Sequence, residues 1–321
     1  MQKPIVVVGS INLDLVVGAD RIPQVGETII GNSFATYYGG KGANQAVAVA
    51  KLGYPVSMVG NVGNDPFGTQ LRKGLEDAGV DTTYVNAVKG ASGVALITTG
   101  RRGENNIVVV PGANGHLTPK LLEKAATILE RAGFLLVQLE IPLETVDYLA
   151  QFAEQHDIPL MLDPAPAREL SESLLRRVTW ITPNETETQE LLGTGIEDGE
   201  QGYHAAADRL LDYGVKNVLL KLGSRGCLIA QWNLPKERVP AFSVNAVDTT
   251  AAGDAFNAGF AVALMRGCTV SRSAVLASAV AAISVTRPGA QPSMPTSAEV
   301  QAFLNERLGP KAPSFAVETN V

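Results

Sequence analysis

The sequence predicts an α/β fold: a three-layer α/β/α sandwich with a mostly parallel central sheet and a small β-sheet lid. Three features carry that reading. Short β-branched runs alternate with longer amphipathic segments, the order that builds a parallel sheet covered on both sides. The short runs are apolar throughout, as strands buried on both faces are. The longer segments open and close on helix-capping residues.

The first run, Ile5–Val8, stops at Gly9 and turns polar after Ser10. It is too short for a signal peptide and reads as the first strand. Residues 13–38 hold Val16-Val17, Ile29-Ile30 and Phe34 between Gly and polar residues, with no helical period. The glycine-rich stretch at 39–44 enters a helix predicted over 45–52, and 56–59 read as a second buried strand. Asp65-Pro66 offers an N-cap followed by Pro at the first helical position. Phe67, Leu71 and Leu75 then recur every four residues, and Gly79 closes the helix. Residues 93–98 and 106–110 flank the turn signal Gly100-Arg101-Arg102-Gly103 and predict a hairpin. The two excursions, about 13–38 and 92–111, are expected to form the lid. Thr118-Pro119 opens another helix, with Leu121, Leu122, Ala125, Ile128 and Leu129 on one face and Gly133 at its end. Runs at 134–137, 160–162, 179–181 and 218–222 supply the remaining buried strands. Residues 1–308 are expected to form one unit, and 309–321, with Pro and little periodicity, a flexible tail.

Composition narrows the function classes. The chain has 321 residues, 45% of them apolar, which is enough for a large core. No stretch approaches the roughly 20 apolar residues of a membrane-spanning helix. A net charge of −6 argues against a nucleic acid held by its phosphates. Cys227 and Cys268 share no ligand spacing with His116, His156 and His204, which excludes a disulfide framework or zinc site. Two free thiols and no export signal make the cytoplasm the expected compartment.

The strongest chemical signal is Asp248-Thr249-Thr250-Ala251-Ala252-Gly253-Asp254, running straight into an apolar helix with Phe256, Phe260 and Leu264 at four-residue spacing. A helix that begins near Gly253 presents its first amides from residues too small to block approach, which makes an anion site. Asp in a first turn is ordinary dipole compensation, but a run of tiny residues ahead of it is harder to explain by capping. Phosphoryl transfer needs donors for the equatorial oxygens and a base near the attacking hydroxyl, and this heptapeptide supplies both. The second signal, Gly39-Gly40-Lys41-Gly42-Ala43-Asn44, is neither a P-loop nor a dinucleotide fingerprint. It reads as a glycine turn into a helix, or as backbone approaching a ligand with Lys41 and Asn44 as donors. Asn12 and Asp14 follow the first strand, where open α/β sheets bind ligands, and Glu140 follows the strand at 134–137 in the same way. Asn184 and Glu187 open a helix after 179–181, and acidic residues in a first turn are common. Lys221-Leu222-Gly223-Ser224-Arg225-Gly226 is either a phosphate-approaching loop or a hairpin turn.

These motifs together resemble the ribokinase-like (PfkB) family of carbohydrate kinases over about residues 4–305, most specifically in GGKGANQA at 39–46 and DTTAAGDAFNAG at 248–259. The resemblance implies a β-sheet lid that closes over a sugar and often forms a dimer interface. It implies Asp254 as catalytic base, with the amides of Ala252, Gly253 and Asp254 stabilising the transferring group. Asn12, Asp14, Gly40, Lys41, Gly42, Asn44, Glu140 and Asp254 would hold the sugar. ATP would lie along Asn184 and the loop Lys221, Gly223, Ser224, Arg225 and Gly226, with Ser278 near the adenine. Glu187 would help organise Mg²⁺ through water. A monovalent cation, K⁺, would be held by Asp248, Thr250, Ser284, Arg287, Gly289 and Ser293, largely through carbonyls. Ala255 and Ser278 depart from the family pattern, where Thr or Ser and His or Asn are frequent. The expected activity is ATP-dependent phosphorylation of O5 of D-ribose. Deoxyribose, a ketose or a nucleoside as substrate, and a non-catalytic sensor, are the rival readings.

Overall fold

The computed structural model describes residues 2–101, 104–197, 199–309 and 312–315. In chain order its strands are β1 (Ile5–Val8), β2 (Asn12–Gly18), β3 (Ser33–Gly39), β4 (Val56–Gly63), β5 (Asp81–Val88), β6 (Gly93–Thr99) and β7 (Asn105–Val110). They continue with β8 (Phe134–Gln138), β9 (Leu160–Asp163), β10 (Trp180–Ile181), β11 (Asn217–Lys221), β12 (Cys227–Gln231) and β13 (Glu237–Val239). The helices are α1 (Lys41–Lys51), α2 (Pro66–Asp77), α3 (Pro119–Lys124), α4 (Ala126–Glu130), α5 (Leu143–Gln155) and α6 (Glu172–Leu175). After these come α7 (Glu185–Leu192), α8 (Glu200–Asp212), α9 (Ala252–Met265), α10 (Val270–Ser284) and α11 (Ser297–Leu308).

Nine strands form one sheet in the order β13-β12-β11-β10-β9-β8-β1-β4-β5, and β3-β2-β6-β7 form a second. From β5 to β11 every pairing in the large sheet is parallel; only β12 runs against the rest, pairing antiparallel with both β11 and the edge strand β13. β1 has β4 on one side and β8 on the other, so the strand order reverses there. Ligands of open α/β sheets bind at that switch point, beyond the carboxyl ends of the strands.

The period-2 alternation of a strand divides the core. Ile5 and Val7 of β1 face one apolar layer with α1, α2, α9, α10 and α11, while Val6 and Val8 face the other with α3 to α8. Trp180 meets Phe260 edge-on at 4.9 Å, which seats α9 against the sheet. The predicted strands and the Asp65-capped helix are all present, with Asp65 accepting from Gly68 N at 2.7 Å.

Four expectations need adjustment. The helix predicted over 45–52 begins at Lys41, within the glycine motif, because Gly40 at its N-cap takes φ 87°, open to a residue without Cβ. The helix opened by Thr118-Pro119 divides at Ala125, whose amide bonds Leu122 O in a tightened turn. The small sheet is larger than its expected start, since β2 begins at Asn12; β6 and β7 pair antiparallel as a hairpin, and Arg102 and Gly103 of its turn signal lie outside the described residues. In the tail, Phe315 is buried against the core beneath the Arg266 guanidinium, 5.4 Å from its ring. Residues 310, 311 and 316–321 of that tail lie outside the described residues.

Candidate active site

The carboxyl ends of five neighbouring parallel strands converge. β1 leads to Ser10, β8 to Glu140, β9 ends on Asp163, β10 leads to Asn184, and β11 ends on Lys221. The N-termini of α1 and α9 close over this edge. A cleft of about 620 Å³ opens between them, within the range of small-molecule sites.

Asp254 lies in the cleft wall and is only 4% exposed. Ala251, just ahead of α9, takes the left-handed conformation at φ 60°, costly for a residue with a Cβ (on the order of 1–2 kcal/mol). The chain therefore turns sharply into the helix. Ala252 N bonds Thr249 O at 3.2 Å, whereas the amides of Gly253 and Asp254 find no partner among the described residues. Two free donors thus stand at the positive end of α9, where anions bind. Asp254 accepts from Asn44 Nδ2 at 3.0 Å and from Gln45 Nε2 at 3.1 Å. Burial pushes its carboxyl up to about 6; the Lys41 ammonium opposes this, Asp163 adds to it, and the two side-chain hydrogen bonds oppose it. It remains ionised at neutral pH, as a stronger base than an ordinary Asp.

The predicted sugar residues cluster beside it. Asn12 and Asp14, two apart on β2, share one face of the small sheet. Asn114 Nδ2 donates to Asn12 Oδ1 at 2.7 Å, and Asn114 itself is fixed to both main-chain groups of Ile11. The Asn12 amide is thereby oriented with its NH₂ left as donor. Glu140 accepts from Ser10 Oγ and from Lys41 N, the latter at 3.2 Å. Asn44 Oδ1 is buried without a partner among the described residues, a free acceptor next to Asp254. Burial raises the Asp14 carboxyl to about 7, helped by the charges of Glu140 and Asp254. Burial lowers the Lys41 ammonium, but Asp254, Asp163, Glu140 and Glu187 outweigh it and the net shift is upward. The glycines serve the chain's own packing: a Cβ on Gly40 would stand 2.7 Å from Asn12 N, and one on Gly42 2.8 Å from the backbone of Gly9. Their absence of side chains lets α1 press its first turn, with Lys41 and Asn44, against the end of β1.

On the other side of Asp254, Asn184, Glu187, Lys221, Gly223, Ser224, Gly226 and Ser278 line the cleft. Asn184 and Glu187 form a capping box, Asn184 N donating to Glu187 Oε2 at 2.7 Å and Glu187 N to Asn184 Oδ1 at 2.8 Å. Burial raises the Glu187 carboxyl, against the pull of Lys221. Ser278 Oγ is buried with no partner among the described residues. Arg225 does not join the cleft wall: its guanidinium pairs with Glu185 and lies 5.5 Å from the Tyr203 ring.

Of a further predicted group, Asp248, Thr250 and Gly289 meet. Asp248 accepts from Thr250 N at 2.9 Å and Gly289 N at 2.8 Å, tying two loops together. Burial pushes its carboxyl up, but these hydrogen bonds and that from the Thr250 hydroxyl hold it below the usual value. Ser284 and Ser293 donate to Ala281 O and Ala290 O, and Arg287 pairs with Glu299 at 2.6 Å.

Sequence reasoning missed four polar residues, Asn114, Asp163, Gln45 and Gln138, and one largely apolar wall. Asp163 bonds Lys221 Nζ at 3.0 Å and Gln45 Nε2 at 3.2 Å. Gln45 in turn accepts from Gln138 Nε2 at 2.7 Å, which fixes the orientation of its amide. The signal for Asp163 was present, since it ends a strand as Glu140 follows one. Ala241, Phe242, Ser243, Val244 and Ala246 line the cleft without any motif to mark them.

The pfkB family carbohydrate kinase model matches residues 2–297 of this chain. Ribokinase from Bacillus subtilis is 43% identical over 305 residues, covering 95% of this chain and 100% of that protein. Deoxyribokinase from Salmonella typhimurium is 39% identical over 305 residues, covering 94% and 98%. Among solved structures, Arabidopsis thaliana ribokinase complexed with ribose and ATP superposes with a TM-score of 0.89 at 36% identity, covering 94% of this chain and 99% of that one. A family model matched over nearly the whole length, together with a relative 43% identical over 95% of the chain, shows that the protein belongs to the pfkB family of carbohydrate kinases.

Proposed function

We propose that this carbohydrate kinase transfers the γ-phosphoryl group of ATP to O5 of D-ribose, giving D-ribose 5-phosphate. One observation carries the reading: a buried carboxylate, Asp254, stands between a cluster of sugar-sized polar groups and a larger, partly apolar cleft, with two free amides in the same helical turn. Its likeness to a ribokinase solved with ribose and ATP supports the substrate pair.

In this reading Asn12, Asp14, Lys41, Asn44 and Glu140 bind and orient the pentose. O5 attacks the γ-phosphorus in line, its proton passes to Asp254, and the bond to the bridging oxygen breaks with its electron pair leaving on ADP. The amides of Gly253 and Asp254 receive the charge on the transferring group. Phe242, Val244 and the free Ser278 Oγ face the base, and Asn184 with the 223–226 loop lies along the rest of the nucleotide.

Among the described residues no three His, Cys, Asp or Glu side chains form a metal cluster. That suits Mg²⁺ held mainly by phosphates and water, with Glu187 nearby, since Mg²⁺ keeps much of its own hydration. When bound, it neutralises phosphate charge. Around Asp248 the side chains of Ser284, Ser293 and Arg287 already have partners, which leaves one carboxylate and main-chain carbonyls. Such oxygen donors fit a hard monovalent cation such as K⁺, which would brace the loops flanking α9. The small sheet would close over the sugar as a lid. Its edge strand β7 leaves Ile107, Val108, Val109 and Val110 exposed, an unpaired apolar edge that a second copy would cover in a homodimer. The cytoplasm, where ATP and free sugars meet, is the compartment this activity requires.

Deoxyribose is the second reading, because a deoxyribokinase is nearly as similar as the ribokinases. Turnover of a sugar panel in an ATP-coupled assay separates them. D-ribose is expected to give the highest kcat/KM; a preference for deoxyribose, a ketose or a nucleoside would replace the substrate. Tight ribose binding with no turnover of any sugar would point to a sensor.

A further inference from the structure

Lys221 and Asp163 form an ion pair at 3.0 Å with side chains 13% and 3% exposed, the one pair among the described residues with both partners so deeply buried. Removing two charges from water commonly costs more than their attraction returns, so stability alone gives little reason for the pair. It spans β10, joining the ends of β9 and β11 at the cleft wall. Its placement is specific: a methyl added to Gly253 would stand 3.2 Å from Lys221 Nζ. The ammonium therefore lies against the same turn of α9 that offers the free amides. One of its donors goes to Asp163; the other two have no protein partner among the described residues. The main chain is held as well, since Lys221 N bonds Pro183 O at 2.8 Å, just before Asn184. From Asp163 the network continues through Gln45 to Asp254 itself.

We propose that Lys221 is a catalytic residue that donates its free N–H groups to the equatorial oxygens of the transferring phosphoryl group, and that Asp163 is the positioning residue that aims it. The proposal rests on the kinase reading and deepens it. No proton leaves Lys221. Its charge opposes the negative charge that gathers on the phosphoryl oxygens and leaving group while O5 donates its proton to Asp254. Electrostatic groups already in place at the reacting centre act on the transition state more than on ground-state binding.

The test is steady-state kinetics with ribose and ATP at pH 8, above the Asp254 carboxyl, on the unsubstituted protein, Lys221→Met, Lys221→Arg, Asp163→Asn and the Asp163→Asn/Lys221→Met double variant. Lys221→Met is expected to lower kcat by about 10²–10³-fold, with KM for ribose changed less than about threefold and Lys221→Arg recovering part of the loss. Asp163→Asn is expected to cost about tenfold in kcat when Lys221 is present and almost nothing in the Lys221→Met background, the signature of two residues acting as a unit. Where Lys221→Met does not fold, Lys221→Gln, which keeps a hydrogen bond to Asp163, takes its place. A kcat within threefold of the unsubstituted protein would overturn the assignment to Lys221. An equal cost of Asp163→Asn in both backgrounds would overturn the positioning role. Failure of the kinase reading shows separately, as no turnover by the unsubstituted protein with any sugar.

Discussion

At the residue scale, Asp254 combines two demands that oppose each other. As the proposed base it must be buried to exclude water from the reacting groups, yet ionised to accept a proton. The structure reconciles them with Lys41, Asn44 and Gln45, which offset part of the desolvation. With its carboxyl near 6, kcat/KM is expected to fall about tenfold per pH unit below that value. Asp163 contributes to the upward shift, so Asp163→Asn should move this acid limb to lower pH, read from a pH–rate profile. Asp14 carries a stability consequence. Its folded-state value near 7 lies above the ordinary Asp value of about 3.9, so between those values the native state binds more protons than the unfolded chain. Stability must then fall as pH rises through that window. Asp14→Asn is expected to raise the thermal midpoint at pH 8 by a few degrees while raising KM for ribose at least about tenfold; an unchanged midpoint would contradict the burial cost. Asp254, Lys41 and Asn44 were legible in the sequence because they sit in unusual local patterns. Asp163, Gln45, Gln138 and Asn114 were not, because their roles come from partners distant in sequence, 118 residues away for the Gln45–Asp163 bond.

At the element scale, α1 and α9 deliver the chemistry, and both do so through how they begin. The start of α9 could be anticipated from its small residues, but the left-handed turn at Ala251 could not, since nothing marks an Ala for that conformation. The start of α1 was misplaced by four residues because the glycine motif looked like a loop. Its glycines are needed where backbone meets backbone, a fact of packing rather than of local propensity. Gly42→Ala places a Cβ 2.8 Å from Gly9, and overpacking of this kind costs about 1–3 kcal/mol. Denaturant unfolding should show that loss, together with a fall in kcat/KM for ribose as Lys41 and Asn44 are pushed outward. Retained stability would mean α1 can shift freely, and that its fixed docking on β1 is not needed.

For the whole molecule, the parallel order of the large sheet followed from alternating strands and helices, and the site fell at its switch point, as the topology requires. The antiparallel edge of β12 and β13 and the long helix α10 carried no comparable sequence signal. The small sheet matters most at this scale because Asn12 and Asp14 belong to β2, so that in the proposed function closure of that sheet and capture of the sugar would be one event. If β7 pairs with a second copy, Ile107→Glu on its exposed face should shift sedimentation from dimer to monomer and raise KM for ribose; an unaltered sedimentation profile would remove that interface. The central claim is that Asp254 is the base and not merely a helix-capping acid. It is tested most directly by Asp254→Asn, with turnover measured alongside ribose binding by calorimetry. The account predicts a kcat lower by several powers of ten with ribose affinity largely kept; turnover near that of the unsubstituted protein would contradict it.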